Sequence, residues 1–257
     1  MPKISLKKIN SLKKNKIGIS ALTSYDASFA KLADKCGVDI ILVGDSLGEV
    51  IQGKSNTHSV TMNDMCYHTK IVSGAIKKAF LIADMPKNSY NTKNQALKNA
   101  RKLIGKNMAD MVKIEFKAKD AGIVRHLVSH NILVCSHIGI LPQTIKNKSD
   151  YKKVGKTAYE AKRLIDEAIC IEKLGSQILI VECIDEGVAK MISKNSYIPV
   201  IGIGSGKNCD GQIRVIYDLF DISFNGTPGF LKSKNKKLNP IKIIMEKYIT
   251  NTNKHKI

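Results

Sequence analysis

The sequence predicts an α/β chain folded as one (β/α)8 TIM barrel with an extra helix ahead of its first strand. Three observations predict it. Short apolar, β-branched runs alternate with longer helical stretches; about eight such units fit the 257 residues; and carboxylates stand where several of the runs end. Continuous apolar strands mean burial on both faces, as parallel sheets require. Eight units in this length suit a barrel better than a doubly wound sheet of five or six strands.

Residues 3–14 place Ile4, Ile9 and Leu12 among lysines, which predicts an amphipathic leading helix. The first strand is IGISALT (17–23), followed by the helix ASFAKLADKCG. The second is VDIILVG (38–44), followed by a glycine-bearing loop and the helix TMNDMCYHTKIVSGAI. AFLIAD (79–84) and ADMVKIE (109–115) come next, with NTKNQALKNARKLIGK and KDAGIVRHLVSH as their helices. NILVCSH (131–137) leads through a loop to the long helix TAYEAKRLIDEAICIEKLG, and QILIVE (177–182) leads to DEGVAKMISKN. PVIGIGSG (199–206) is the seventh strand, QIRVIYDLF (212–220) the eighth, and PIKIIMEKYIT a closing helix. Nothing divides the chain, so residues 1–257 read as a single domain with a frayed tail from about residue 250.

Composition narrows the function. With 43% hydrophobic and 25% charged residues the chain is neither a small disulfide scaffold nor disordered, and it can bury roughly three quarters of its unfolded surface. It has no apolar run of about 18 residues and no continuous apolar signal segment near its start, so a soluble, cytoplasmic protein is expected, without a membrane partner. Its six cysteines form no CxxC pair and fit reduced core thiols. The net charge of +20 raises nucleic acid as a partner. Only four of the basic residues are arginines, however, and the lysines are spread over nearly every segment. That describes a solvated surface rather than a groove reader, and no nucleic acid is expected.

The acids carry the chemistry. Asp45 follows IILVG, Asp84 follows FLIA, Glu115 closes MVKI and Glu182 closes ILIV, while His137 ends a fifth strand. Asp45 and Asp84 are 39 residues apart and Asp84 and Glu115 are 31, near the roughly 31 per unit of a 250-residue barrel. In a parallel barrel these ends share one rim, where active sites are built. Two carboxylates about 4 Å apart repel by roughly 4 kcal/mol at an effective dielectric near 20, so such a cluster needs a cation, a proton or lysines. All-oxygen ligands suit magnesium, manganese or calcium, and a site left open for substrate suits magnesium. For any one acid the alternative is a helix cap or turn former.

Other residues say less alone. Lys113 stands two places before Glu115, so alternation turns both to one face; it serves either a substrate anion or a structural ion pair. Ser46 in GDSLG faces an anion or merely forms a turn. His137 polarises an oxygen or sits satisfied in the core. His68 in MCYHT reads as packing. GIGSG (202–206) cradles an anion or is a tight turn, since it lacks the spacing of a P-loop.

At these residues the chain resembles the ketopantoate hydroxymethyltransferase family. The resemblance runs from about residue 17 to 220 and is densest in TSYDASFAKLADKCGVDIILVGDSLGEVIQG, VTMNDMCYHT, ADMPKNSY, MVKIE, SHIGILPQ, VECI and PVIGIGSGKNCDGQ. It implies a homo-oligomeric, commonly decameric barrel enzyme of pantothenate synthesis with one Mg2+ per subunit. Such an enzyme moves a one-carbon unit from 5,10-methylenetetrahydrofolate to 3-methyl-2-oxobutanoate. The resemblance puts the metal on Asp45, Asp84 and Glu115 and the keto-acid contacts on Asp45, Ser46, Asp84 and Lys113. His137 falls near the substrate and Glu182 is the general base.

The departures surround those positions: Phe116-Lys117 replaces a glycine pair, Lys87-Asn88 an apolar pair, Ser136 a glycine, and SDYKKVGK (149–156) a YKVQGK-like loop. They put pocket shape and folate affinity in question. Two rivals are weighed. Another magnesium barrel enzyme acting on a 2-oxo acid through an enolate, such as a phosphoenolpyruvate or isocitrate lyase relative, shares the rim, but no KKCGH-type cysteine segment is present. A lysine-rich nucleic-acid binder predicts steep salt dependence and no dependence on Asp45 or Asp84.

Overall fold

The computed structural model describes residues 2–145, 151–226 and 239–254. Eight parallel strands, each hydrogen-bonded to the next and the last to the first, close a barrel. They are β1 (Ile19–Thr23), β2 (Ile40–Val43), β3 (Phe80–Asp84), β4 (Met111–Glu115), β5 (Val134–Gly139), β6 (Ile178–Glu182), β7 (Val200–Ile203) and β8 (Gly211–Arg214). The helices are α1 (Leu6–Lys14), α2 (Ala27–Lys35), α3 (Leu47–Val50), α4 (Met62–Ala75), α5 (Lys93–Leu103), α6 (Ala121–Ser129), α7 (Ala158–Lys173), α8 (Glu186–Asn195), α9 (Ile216–Leu219) and α10 (Pro240–Lys254).

The strands alternate between two apolar layers, and this explains their unbroken hydrophobicity. Ile41 and Val43, Leu81 and Ala83, Val112 and Ile114, and Leu179 and Val181 pack outward under the helices. Ile40 and Leu42, Phe80 and Ile82, Met111, Cys135, and Ile178 and Ile180 turn inward. Period two then carries Asp84, Lys113, Glu115, His137 and Glu182 to the inner face at the carboxyl ends. The opposite end is closed by α1, whose Ile9 and Leu12 join the inner layer. Ser5 caps α1 by accepting from the Lys8 N–H, and Lys13 ties its end to Asp210 at 2.6 Å.

Several boundaries differ from expectation. The leading helix starts at Leu6, not residue 3, because Ser5 is its cap. The eighth strand covers only residues 211–214 of the sheet. The YDLF portion of the expected strand instead follows helical spacing as α9, with Tyr217 and Phe220 packed on Phe29. The closing helix runs to Lys254, into the stretch expected to fray; residues 255–257 lie outside the described residues. Among the described residues no helix is long and apolar enough to cross a membrane.

Candidate active site

The carboxyl ends of the strands surround a cavity of about 540 Å3. Asp45, Ser46, Asp84, Lys113 and Glu182 all line it; Glu115 and His137 do not and stand behind it. Every one of these residues except Ser46 is at least nine-tenths buried.

Strand register sets the neighbours. Asp84 and Lys113 are partners across β3 and β4, Glu115 and His137 across β4 and β5, and Gly139 and Glu182 across β5 and β6. Lys113 Nζ donates to Asp84 Oδ2 at 2.6 Å. The Asp45 N–H approaches the same oxygen at 3.4 Å, while Asp84 Oδ1 is buried with no hydrogen-bond partner. Ser46 stands at the start of α3, its hydroxyl 2.7 Å from that of Tyr25. His137 Nε2 lies 3.2 Å from Glu182 Oε2, without hydrogen-bond geometry.

Burial sets the charges. It pushes Asp84 up to about 7, against the pull of Lys113 and with the help of Asp45. Glu182 is raised to about 7 for the same reason, again opposed by Lys113. Glu115 is raised by burial and then by Asp45. Burial would neutralise Lys113, but Asp84, Asp45 and Glu115 outweigh it and hold the ammonium charged. His137 is pushed well below its ordinary value by burial and Lys113, so it faces Glu182 as a neutral ring.

Of the three carboxylates expected at the metal, Asp45 and Asp84 line the cavity and Glu115 does not. Among the described residues no three His, Cys, Asp or Glu side chains converge to hold an ion. The Gln143 backbone N–H donates to both Glu115 oxygens at 3.0 and 3.2 Å. Asp45 and Asp84 are the pair that faces the cavity. Burial that disfavours the charged forms of Asp84 and Glu115, and an Asp84 oxygen left without a donor, are both relieved by a nearby positive charge; a hard divalent cation fits both.

Sequence reasoning passed over Gln143 and Tyr90. Gln143 Nε2 donates to Asp45 Oδ2 at 2.8 Å and to the Met85 carbonyl at 3.0 Å, and its Oε1 accepts from Tyr90 at 2.7 Å. Both lie in segments that carry the resemblance, SHIGILPQ and ADMPKNSY, but an amide and a phenol remote in sequence from the acids gave no sign of where they point. Most departures lie away from the cavity. Phe116 packs in the outer layer, Lys117 and Asn88 are exposed, Lys87 lies off the cavity lining, and Ser136 turns outward to bond Ser176 at 2.7 Å. The exception is the SDYKKVGK loop: Tyr151 and Lys153 line the cavity, whereas residues 149–150 lie outside the described residues. Ser205 of GIGSG is consumed internally by Ile184 N–H and the Val181 carbonyl, and His68 bonds the Tyr25 carbonyl at 2.6 Å.

The profile of the family described as ketopantoate hydroxymethyltransferase matches residues 3–256. The chain belongs to that family. It is 44% identical over 249 residues to the 3-methyl-2-oxobutanoate hydroxymethyltransferase of Buchnera aphidicola subsp. Acyrthosiphon pisum (strain 5A), covering 97% of this chain and 94% of that protein. The enzyme of the same description from Nitrosococcus oceani is 39% identical over 255 residues, covering 99% and 97%. Among solved structures, a 2,3-dimethylmalate lyase superposes with a TM-score of 0.64 at 13% identity, covering 98% of this chain and 88% of that one. A phosphoenolpyruvate phosphomutase from Streptomyces platensis subsp. rosaceus gives 0.66 at 12%, covering 97% and 88%. At such identities these two share the barrel fold and nothing more is taken from them.

Proposed function

We infer that the chain forms ketopantoate by moving a hydroxymethyl group onto 3-methyl-2-oxobutanoate, through loss of the C3 proton of that acid to Glu182. The reaction is the family's, a step of pantothenate synthesis with 5,10-methylenetetrahydrofolate as co-substrate. One observation carries the mechanism: Asp45, Asp84, Lys113 and Glu182, from the carboxyl ends of β2, β3, β4 and β6, line one cavity.

Lys113 and Ser46 bind and orient the substrate carboxylate, which converts binding energy into placement of the reacting carbon. Asp45 and Asp84 would hold Mg2+, which supplies positive charge where the keto oxygen becomes an enolate oxygen. Glu115, held by the Gln143 backbone N–H, stands off the cavity lining beside this group. Glu182, held near neutrality by burial, accepts the C3 proton. His137, neutral and 3.2 Å from Glu182 Oε2, brings no positive charge to that carboxylate. The C3 electron pair bonds the methylene carbon, both carbon–nitrogen bonds that tie this carbon to the folate break, and water supplies the hydroxyl oxygen; the C3 proton and the two protons of water end on the two folate nitrogens and the new hydroxyl.

The test is to incubate the protein with 3-methyl-2-oxobutanoate in deuterated water, with and without Mg2+, and follow the C3 proton by NMR. Exchange is expected without folate, dependent on Mg2+ and sharply reduced in Asp84→Ala and Glu182→Gln. Exchange indifferent to both changes would falsify the mechanism.

Self-association, with a decamer expected, is supported by α10, where Ile244, Met245, Tyr248 and Ile249 are each more than half exposed. Light scattering on the eluting protein measures it, and a monomer at micromolar concentration would sink it.

A further inference from the structure

We propose that Gln143 is a positioning residue for the cation, locked by Tyr90 so that it clamps one oxygen of Asp45 and leaves the other free. The inference rests on Asp45 and Asp84 holding the ion.

Gln143 is buried, and both polar atoms of its side chain are engaged. Its amide N–H groups face two acceptors, Asp45 Oδ2 at 2.8 Å and the Met85 carbonyl at 3.0 Å, and its Oε1 receives the Tyr90 hydroxyl at 2.7 Å. Turning the amide over would set its oxygen against the carboxylate and the carbonyl together, so the orientation is forced. The Gln143 backbone N–H meanwhile holds Glu115. One residue on the loop after β5 thus governs two acids from β2 and β4 by two different groups. It draws Glu115 away from the cavity and fixes the torsion of Asp45. An Asp45 without that donor is free to rotate toward Lys113, the cation that already holds Asp84. Partners of metal-binding carboxylates act in this way, and losing one typically costs 10- to 100-fold in metal affinity.

Gln143→Met removes the side-chain donors but keeps the backbone N–H on Glu115. The variants are titrated with Mn2+ alone, followed by electron paramagnetic resonance, with thermal unfolding as a check on folding. Gln143→Met is expected to weaken Mn2+ 10- to 100-fold and Tyr90→Phe 2- to 10-fold. Because Tyr90 acts only through Gln143, Tyr90→Phe should add nothing in the Gln143→Met background. Wild-type Mn2+ affinity in a folded Gln143→Met protein, or effects that multiply, overturns the inference. If that variant does not fold, Tyr90→Phe decides alone: unchanged affinity overturns it. Asp45→Asn separates the two levels. When it loses the ion and Gln143→Met does not, only the positioning role fails. When wild type binds no Mn2+, or Asp45→Asn keeps it, the metal reading fails and this inference with it.

Discussion

Lys113 Nζ lies 2.6 Å from Asp84 Oδ2, and the two side chains expose only 6% and 1% of their surfaces. They are partners in the β3–β4 register, so the contact is a direct product of strand pairing. Removing one member of such a pair leaves a buried charge alone. Lys113→Met is expected to cost about 3–5 kcal/mol near pH 8 in urea unfolding. The loss should shrink toward pH 5, where Asp84 takes up its proton. Equal losses at both values would mean that Asp84 does not change its charge between pH 5 and 8.

Glu182 gives a second pH test. Its folded value, about 7, stands above the ordinary 4.5, so between these values the folded chain binds more protons than the unfolded one. The stability contributed by this group is complete below about 4.5 and falls as pH rises through 7. Glu182→Gln lacks that decline, and its advantage over wild type should grow by at most about 3 kcal/mol from pH 4.5 to 8. In the exchange assay the same group predicts an acid limb with a midpoint near 7, since only the carboxylate accepts the C3 proton. A flat profile from pH 5 to 8 contradicts the base assignment.

Gly139→Ala probes the support of Glu182. Gly139 has φ of +101°, and a β-carbon there would run into the Glu182 carbonyl oxygen and lie 2.8 Å from Ile184. Backbone cannot give way cheaply, so a cost of at least about 1–3 kcal/mol is expected together with slower exchange. Gly18→Ala, with nothing within 4 Å, is the control and should stay within about 0.5 kcal/mol. Matching midpoints for the two variants would remove Gly139 from the account.

Ile9→Ala separates stability from activity. Ile9 is fully buried at the closed end of the barrel, away from the cavity. Its truncation should cost about 2–5 kcal/mol in urea unfolding while KM and the exchange rate of the folded protein hold. A large change in KM would show that the two ends are coupled.

The sequence by itself determined the barrel and its polar rim. Runs such as IILV in β2 and ILIV in β6 are apolar at every position because each is covered twice, and that is visible without coordinates. The same period of two puts Lys113 and Glu115 on one face. Helical period and strand period compete over QIRVIYDLF, and only packing of Tyr217 and Phe220 on Phe29 decided for α9. Tertiary structure alone decided which acids face the cavity. Asp45, Asp84 and Glu115 look equivalent along the chain, yet Gln143 draws Glu115 aside while clamping Asp45. Period and composition are local quantities that each strand carries with it. The division of labour among carboxylates depends on a donor 28 residues from one acid and 98 from the other, which meets them only when the barrel closes.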